Sequence, residues 1–401
     1  EELLAEPDLD DTTALSAANA LAFARLMTLR LDRFDADTER WRPTAVRMES
    51  TSPLAVEQLD LVTVIARVAQ GRIDEAIERC RDRRTGRTDR SWGAGDGTWA
   101  AVEMFGRSFR TDDPEGLVDL ANRAAVGLGS VDPLGFRPVG SGLCALALAN
   151  GGKMAQAREA FAAGAAAGGE GDRRSSSLIR ARLDAWGVAL DGDPRTAAST
   201  VAAAGRRAVE LGHVLWGALA LFDAVRFGAP ERTRADLHRL QTNEGAGGAM
   251  LHAMCTHADA LAQGDVDAIL DAVDIWLGQG ATMFAAEAAC QSAELLVDSG
   301  ELDAAARATA RAQIIASGSL PPTPACSRVQ TALTARQCEI VLELLRGRTA
   351  RDVAASLSVS ARTVENHVAT VYRKLGFSNR EELTSGLRAA PEPGPAGRPG
   401  S

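Results

Sequence analysis

The sequence of 401 residues is poor in several residue types that common function classes require. Aromatic residues make up 4% of the chain, with one tyrosine, and there are five histidines and six cysteines. No apolar run reaches the roughly 20 residues that a membrane-spanning helix needs, and no signal peptide is recognisable. The cysteines lack paired spacing, which is typical of free thiols in a reducing compartment. These absences predict a cytoplasmic protein that is neither membrane-bound nor secreted.

Sites for enzymatic chemistry and for cofactors are also missing from the sequence. No Ser/His/Asp arrangement and no pair of carboxylates indicates a hydrolase. A phosphate-binding Gly-x-x-x-x-Gly-Lys-Ser/Thr loop does not occur, because the closest text, residues 151–153, is followed by Met154 and lacks the hydroxyl for magnesium. His252, Cys255 and His257 are close in sequence, but the two histidines would point away from each other on a helix, which is poor geometry for zinc. We therefore predict no enzyme activity, no cofactor and no metal.

What the first 318 residues do contain is a recurring pattern of alanine-rich helices. Turn signals followed by such helices recur at intervals of 36 to 41 residues, starting at Gly71, Asp112, Gly152, Gly192, Gly228, Gly264 and Gly300. A period of this length with two helices per unit is typical of an α-solenoid. We therefore predict an all-α, tetratricopeptide-like solenoid over residues 1–318. Such a solenoid usually binds a peptide, a protein or a small ligand on its concave face; the alternative is a scaffold that only spaces its neighbours.

Helix-start and helix-stop signals become dense after residue 333. Three hydroxyl residues stand three positions before a side chain that can cap back, in the pairs Thr334/Gln337, Thr349/Asp352 and Ser378/Glu381. Gly347 and Gly376 stand where apolar stripes end, as left-handed helix stops do. Only residues 357–360 separate the second predicted helix from the third, which is the turn length of a helix-turn-helix motif.

The third predicted helix of this segment, residues 361–375, is apolar on one side only. Val364, Val368, Val371 and Leu375 recur at helical spacing, and hydrogen-bonding and cationic side chains cover the rest. Such a helix can lie in the major groove of DNA, where it reads base edges while its flanks neutralise phosphates. The alternative is an ordinary amphipathic helix with a solvated polar face.

The segment resembles the C-terminal DNA-binding domain of the LuxR/FixJ/NarL superfamily of bacterial regulators. The residues that carry the resemblance are Leu333-Thr334, Arg336-Gln337, Glu339-Ile340-Val341, Gly347, Asp352-Val353-Ala354, Leu357, Val359-Ser360, residues 363–368, residues 371–376 and Arg380. The resemblance implies a four-helix domain whose third helix enters the major groove and whose fourth, about residues 379–389, mediates pairing on DNA.

The same resemblance implies roles for individual residues. Glu365, Asn366 and Ala369 occupy positions that commonly face bases. The positions that lie near phosphates are Thr349, Arg351, Arg362, Thr363, His367, Arg373 and Lys374. The chain departs from the common pattern at Glu365, where many relatives carry lysine, so the target sequence of those relatives does not carry over.

The region before this segment resembles the helical part of large ATP-binding, MalT-like LuxR regulators. Residues 284–293, followed by Gly300 and the two prolines at 321–322, carry that resemblance. Regulators of this group have a nucleotide-hydrolysing domain at the N-terminus, which this sequence lacks. The implied partners are double-stranded promoter DNA, RNA polymerase, a second copy of the chain on DNA, and an unknown protein or small-molecule effector on the solenoid.

Charge divides the chain in the same way. Residues 327–390 carry ten Lys/Arg and six Asp/Glu, a balance of +4, whereas residues 1–326 carry 33 and 46, a balance of −13. DNA attracts the first of these regions and repels the second. Because a charge of +4 is modest, a single module should bind DNA weakly. We therefore expect two or more modules to bind together, on DNA half-sites about one helical turn apart.

The predicted order is therefore a solenoid over residues 1–318, a hinge-like linker over 319–328, a helix-turn-helix domain over 329–390 and a disordered, proline- and glycine-rich tail over 391–401. We predict a sequence-specific DNA-binding transcriptional regulator whose solenoid senses an effector or docks a partner. Two alternatives remain: a solenoid adaptor with secondary DNA binding, or a truncated ATP-dependent regulator without its NTPase domain.

Overall fold

The computed structural model describes residues 10–387 except 53, 86–94, 112, 131, 133, 166–171 and 243–246. Every long element in these residues is an α-helix, and none of them forms a β-strand, which confirms the all-α prediction. Up to residue 315 the helices are α1 (Asp11–Met27), α2 (Phe34–Arg47), α3 (Ala55–Ala69), α4 (Ile73–Thr85), α5 (Asp96–Arg107), α6 (Pro114–Ser130), α7 (Arg137–Asn150), α8 (Met154–Ala165), α9 (Asp172–Leu190), α10 (Pro194–Glu210), α11 (Val214–Arg226), α12 (Arg234–Thr242), α13 (Ala249–Gln263), α14 (Val266–Gly278), α15 (Thr282–Asp298) and α16 (Leu302–Ile315). We call α1–α16 the helical stack.

Glycines mark the turn inside six of the eight helix pairs of the stack. Those with positive φ at the predicted spacing are Gly71, Gly152, Gly192, Gly228, Gly264 and Gly300, with φ from +66° to +102°. Five of them join two α-helices directly, and Gly228 precedes a short 3₁₀-helix, Pro230–Arg232, before α12. Glycine enters this region of φ without the steric cost of a Cβ atom. Asp112 lies outside the described residues, and the likeness to tetratricopeptide repeats stays a prediction.

Helices α5, α7, α11 and α15 form an inner layer and are buried along almost their whole length. Small residues allow these helices to approach their neighbours closely. A Cβ atom on Gly97 of α5 would lie 2.4 Å from the backbone nitrogen of Leu128 in α6. Three tryptophans, Trp99, Trp186 and Trp276, are completely buried and fill the larger gaps.

Segments of the stack that are far apart in sequence contact each other. The backbone N–H of Met283 donates to the carbonyl of Phe109 at 2.9 Å, and the N–H of Thr111 donates to the hydroxyl of Thr282 at 3.0 Å. Near the other end, the N–H of Gly247 donates to the carbonyl of Leu29 at 2.8 Å. These contacts bring parts of the stack together that are far apart in sequence, and the predicted ligand-binding concave face stays a prediction.

A buried ionic cluster lies in this core. The Arg226 guanidinium donates to Glu287 at 2.8 and 2.9 Å and to Asp223 at 3.0 Å, and Asp223 also accepts from Arg182 at 2.9 Å. The guanidinium carbon of Arg226 lies 4.4 Å from the centre of the Trp186 ring. Two cations and two anions thus neutralise one another, because a buried charge needs a partner of opposite sign. The cluster connects α9, α11 and α15.

About half of the segment expected to be a hinge, residues 319–328, is buried. Pro321, Thr323 and residues 324–326 are covered by the stack, and Cys326 begins a short 3₁₀-helix, Cys326–Arg328. Arg328 donates to the carbonyl of Phe227 at 2.9 Å. Residues 321–328 therefore form a strap between the two regions, in which Pro321 and Pro324 pack against the stack and Pro322 is exposed.

The remaining helices are α17 (Ala335–Leu345), α18 (Ala350–Ser356), α19 (Ala361–Leu375) and α20 (Arg380–Leu387), which we call the C-terminal module. The module docks on α16. Ala310 and Ile314 of α16 belong to the same apolar core as Leu333 and Leu375. The buried amide of Gln313 accepts from the N–H groups of Ala332 and Leu333 and donates to the carbonyl of Leu333, each at 2.9 Å.

Candidate nucleic-acid interface

The first two helices of the C-terminal module begin at reciprocal caps, as the sequence predicts. The Thr334 hydroxyl accepts from the N–H of Gln337 at 3.3 Å, and the Gln337 amide oxygen accepts from the N–H of Thr334 at 3.0 Å. Thr349 and Asp352 form the same arrangement at 3.2 and 3.1 Å. The hydroxyl and the N–H of Thr349 lower the pKa of the Asp352 carboxyl, which therefore stays ionised as a cap.

The turn between α18 and α19 is tight and slightly strained. Ser358 has φ of +54°, a left-handed conformation that costs a residue with a Cβ atom about 1–2 kcal/mol. Ser360 then starts α19, because its hydroxyl accepts from the N–H of Thr363 at 3.1 Å. Gly376, with φ of +70°, ends the helix. The bounds Ala361–Leu375 are those that the sequence predicts.

Helix α19 is held by one face and leaves the opposite face free. Val364, Val371 and Leu375 are completely buried, whereas Val368 is half-buried. Glu365, Asn366 and Ala369, the predicted base-facing residues, are all exposed on the opposite face. The helical stack does not cover this face, so it can approach another molecule.

All three predicted phosphate-contacting arginines are exposed, and no described residue forms an ion pair with them. Arg351 lies in the first turn of α18, and Arg362 and Arg373 lie at the two ends of α19. The other arginines of the module behave differently: Arg336 pairs with Glu339 at 2.7 Å, and Arg346 and Arg348 pair with Glu343 at 2.5 and 2.7 Å. The uncompensated positive charge of the module therefore includes the two ends of α19.

The other predicted phosphate-contacting residues are less free. Thr363 is half-buried and its hydroxyl lies 2.8 Å from that of Ser360, and the Thr349 hydroxyl donates to Asp352 at 2.6 Å. His367 is half-buried. Lys374 is exposed, but its Nζ donates to the carbonyl of Ala332 and to Gln337 Oε1, each at 3.2 Å.

Lys374 and Gln337 therefore connect α19 to the start of α17, a positioning contact that the sequence pattern did not reveal. The sequence contained part of the signal, since Gln337 is the third residue of α17 and caps back on Thr334. Arg380 acts in a similar way, because its guanidinium donates to the carbonyls of Leu344 at 2.7 Å and Arg348 at 3.1 Å.

The start of the fourth helix differs from the prediction by one residue. The Asn379 side chain accepts from the N–H of Glu382 at 2.9 Å, and the Glu382 carboxylate accepts from the N–H of Ser378 at 2.7 Å. The predicted cap of Ser378 with Glu381 is therefore wrong, because the asparagine competes successfully for the N-terminal amide. Leu383 and Leu387 are buried, and α20 packs against α16 of the helical stack.

The residues considered for metal or phosphate binding have ordinary structural surroundings. His252 is exposed and contacts Gln241, whereas His257 is buried and contacts Gln291 at 2.8 Å. Residues 151–153 form the turn between α7 and α8. Within the described ranges, no cluster of three or more His, Cys, Asp or Glu residues suits a metal ion, and no helix there is long and apolar enough to cross a membrane.

Comparison with known proteins agrees with this geometry. Residues 331–386 match the family "Bacterial regulatory proteins, luxR family", so this segment is a LuxR-family helix-turn-helix domain. The chain is 30% identical over 70 residues to the transcriptional regulatory protein ComA of Bacillus subtilis, over 18% of this chain and 33% of that protein. The chain thus spans about a third of the length of this relative. No solved structure matches the chain.

Proposed function

We propose that this protein is a sequence-specific, DNA-binding transcriptional regulator, with α19 as the helix that reads DNA. One observation carries the proposal: α19 belongs to a LuxR-family domain and has its polar face exposed, with unpaired arginines at both ends. A helix held in this way presents base-reading groups at its centre and phosphate-binding groups at its flanks.

Each exposed residue has a defined role in the proposal. The Asn366 amide pairs with an adenine, which an amide recognises by one donor and one acceptor, and the Glu365 carboxylate accepts from a cytosine amino group. The small side chain of Ala369 allows close approach or contact with a thymine methyl. Arg351, Arg362 and Arg373 neutralise phosphates, which supplies affinity without sequence preference.

The charge of the module favours binding as a pair. Its balance of +4 over residues 327–390 is small, and the −13 of residues 1–326 opposes approach to DNA. Two copies on neighbouring half-sites double the number of phosphate contacts. The exposed side of α20, with Glu381 and Ser385, is the surface through which two modules meet on DNA.

The helical stack is the regulatory part in this proposal. It senses an effector or docks a partner, as in MalT-like regulators, and the DNA-bound module places RNA polymerase at a promoter in the cytoplasm. The contacts of the strap with the stack, and of Gln313 in α16 with the start of the module, support this division, because they give a change in the stack a route to the module. The second candidate function is an adaptor that binds proteins through the stack, with DNA binding secondary.

Fluorescence anisotropy with labelled promoter fragments at two salt concentrations tests the proposal. We expect Asn366→Ala to reduce the preference for the specific fragment and Arg373→Ala to weaken binding to all fragments with a smaller salt dependence. The matched control is Arg346→Ala, which removes an exposed arginine of the same module that is already paired with Glu343. If the first two variants bind like the control, α19 does not read DNA; if no fragment binds specifically, the adaptor is the better description.

A further inference from the structure

A cavity of about 340 Å³ opens in the helical stack, between α1, α3, α9, α10 and α11. It lies where the first helices meet the middle of the chain, in the stack and not in the C-terminal module. Its volume falls within the range of about 300–1,000 Å³ that small-molecule sites occupy. Folded cores normally fill such space with side chains, so a cavity of this size is a notable feature of the stack.

The floor of the cavity is apolar. Leu26 and Met27 of α1, Leu61 of α3 and Ala220 of α11 line it, and all four are buried. These side chains offer no hydrogen bond to a polar occupant. They favour an occupant that brings an apolar surface, because water in such a space makes few hydrogen bonds.

Aromatic rings surround the mouth. Phe23 is 53% exposed, and Phe136 and Trp216 are half-buried at the same opening. A large aromatic side chain with half of its surface in water is costly unless an apolar partner covers it. The rim and the floor thus favour the same kind of occupant.

One polar group of the lining is buried. Arg182 is 8% exposed, its Nε donates to Asp223 Oδ2 at 2.9 Å, and its Nη2 lies 2.8 Å from the same oxygen. Its Nη1 atom makes no hydrogen bond with any residue that the structure describes. The carboxylate neutralises the charge of Arg182, so the remaining donor suits a single acceptor better than a multiply charged group.

We propose that this cavity binds a small, mainly apolar molecule with one hydrogen-bond-accepting group, such as a carbonyl or a carboxylate, which faces Arg182. The inference defines the chemical class of effector for the regulator proposed above and rests on that proposal for its biological role. Binding in the cavity does not require that the proposed function be correct.

A continuous series of contacts leads from the cavity to the strap before the C-terminal module. Asp223, the partner of Arg182, contacts Arg226, and Arg226 contacts Glu287 of α15. Further along α15, Glu294 contacts Arg328 at 3.1 Å. An occupant that moves Arg182 therefore acts on a cluster that also positions α15, against which the strap packs.

The test uses the full chain and the probe 8-anilinonaphthalene-1-sulfonate, an aromatic molecule with one anionic group, in a fluorescence titration. Ala204→Phe places a ring in the cavity, and Ala203→Phe adds the same ring at an exposed position of the same helix. We expect saturable one-to-one binding that Ala204→Phe weakens by at least about tenfold, since the ring takes the space of the probe. Ala203→Phe should bind like the unmodified chain.

A second pair of variants removes side chains and does not depend on how the stack accepts an added ring. Phe23→Ala at the rim should weaken binding by about threefold or more, because the apolar contact is lost. Val126→Ala, at an apolar position of α6 that is 71% exposed, is its control. If the probe does not bind saturably, or if all four variants bind it equally, the cavity is not a ligand site.

The DNA-binding experiment, run with and without the probe, separates the two proposals. Specific DNA binding without saturable probe binding rejects the cavity site and keeps the regulator. Probe binding that follows the variants, in a chain that does not bind DNA specifically, keeps the cavity site and rejects the regulator.

Discussion

The C-terminal module and the helical stack are held by contacts of different range. In the module, the caps that start α17, α18 and α19 join residues three positions apart, and the lysine contact between α19 and α17 spans 37 positions. In the stack, Thr111 contacts residues 171 and 204 positions away. The fold of the module thus depends mainly on contacts between residues close in sequence. The fold of the stack depends on contacts between helices that are far apart in sequence.

The largest loss of stability is expected at the buried ion pairs that connect distant helices of the stack. Arg226→Ala should lower the free energy of unfolding by about 3–5 kcal/mol, because Glu287 and Asp223 then lose a buried partner. Urea denaturation measures this. Arg207→Ala, which removes an exposed pair with Glu210, should cost no more than about 1 kcal/mol. Equal effects of the two variants would show that the buried cluster is not what holds the stack together.

The next effect is a pH dependence of the stack. Burial, and secondarily the charge of Arg226, lowers the pKa of His257 to about 4 from its ordinary value of 6.5. Below pH 6.5 His257 is therefore protonated in the unfolded chain, whereas in the folded chain it stays neutral until about pH 4. The contribution of His257 is complete above pH 6.5 and should decline by up to about 3 kcal/mol as the pH falls to 4.

Urea denaturation between pH 7 and pH 5 isolates this effect from the titration of carboxylates. His257→Gln should have a flatter pH dependence than the unmodified chain over this window. His252→Gln, which changes an exposed histidine on the same helix, should keep the original dependence. The same slope in all three proteins would contradict the role of His257.

The boundary between the two regions should show an intermediate effect. Gln313→Ala leaves the buried N–H groups of Ala332 and Leu333 without their acceptor, which costs about 1–3 kcal/mol. Gln263→Ala, at the exposed end of α13, should have little effect. Thermal unfolding monitored by circular dichroism measures both. A neutral Gln313→Ala would mean that module and stack are joined less tightly than these contacts indicate.

The smallest stability effect concerns a local signal of the module. Thr349→Ala removes the cap of α18 and should cost about 1 kcal/mol. Thr200→Ala, in the exposed interior of α10, should be neutral or slightly stabilising because alanine favours helices. Chemical denaturation of the two variants measures the change in the free energy of unfolding that each causes. A loss of stability in Thr200→Ala as large as in Thr349→Ala would remove the distinction between cap and helix interior.

Much of the module could be predicted from the sequence, because its signals are local. The capping residues Thr334 and Thr349, the turn at 357–360 and the bounds of α19 all follow from spacings of a few residues. The error at the fourth helix is equally local, since Asn379 and Ser378 are neighbours and both can cap. The exposure of Glu365 and Asn366 follows from the position of the apolar stripe on α19.

The sequence revealed less about the stack. The recurring glycines show that helices come in pairs, but they contain no information on how far the stack curves. The cluster of Arg182, Asp223, Arg226 and Glu287 joins three helices, and no spacing within one helix indicates it. The same holds for the strap, because the sequence does not show that Pro321 and Pro324 are buried against the stack.

The most direct test of the account is a base-substitution profile of one bound promoter site. Every base pair of the site is replaced in turn, and binding of the unmodified chain is compared with that of Asn366→Ala. We expect the variant to lose about 1–3 kcal/mol of discrimination at one base pair in each half-site and to keep the preferences elsewhere. A profile with the same preferences in both proteins would contradict the claim that the exposed face of α19 reads DNA.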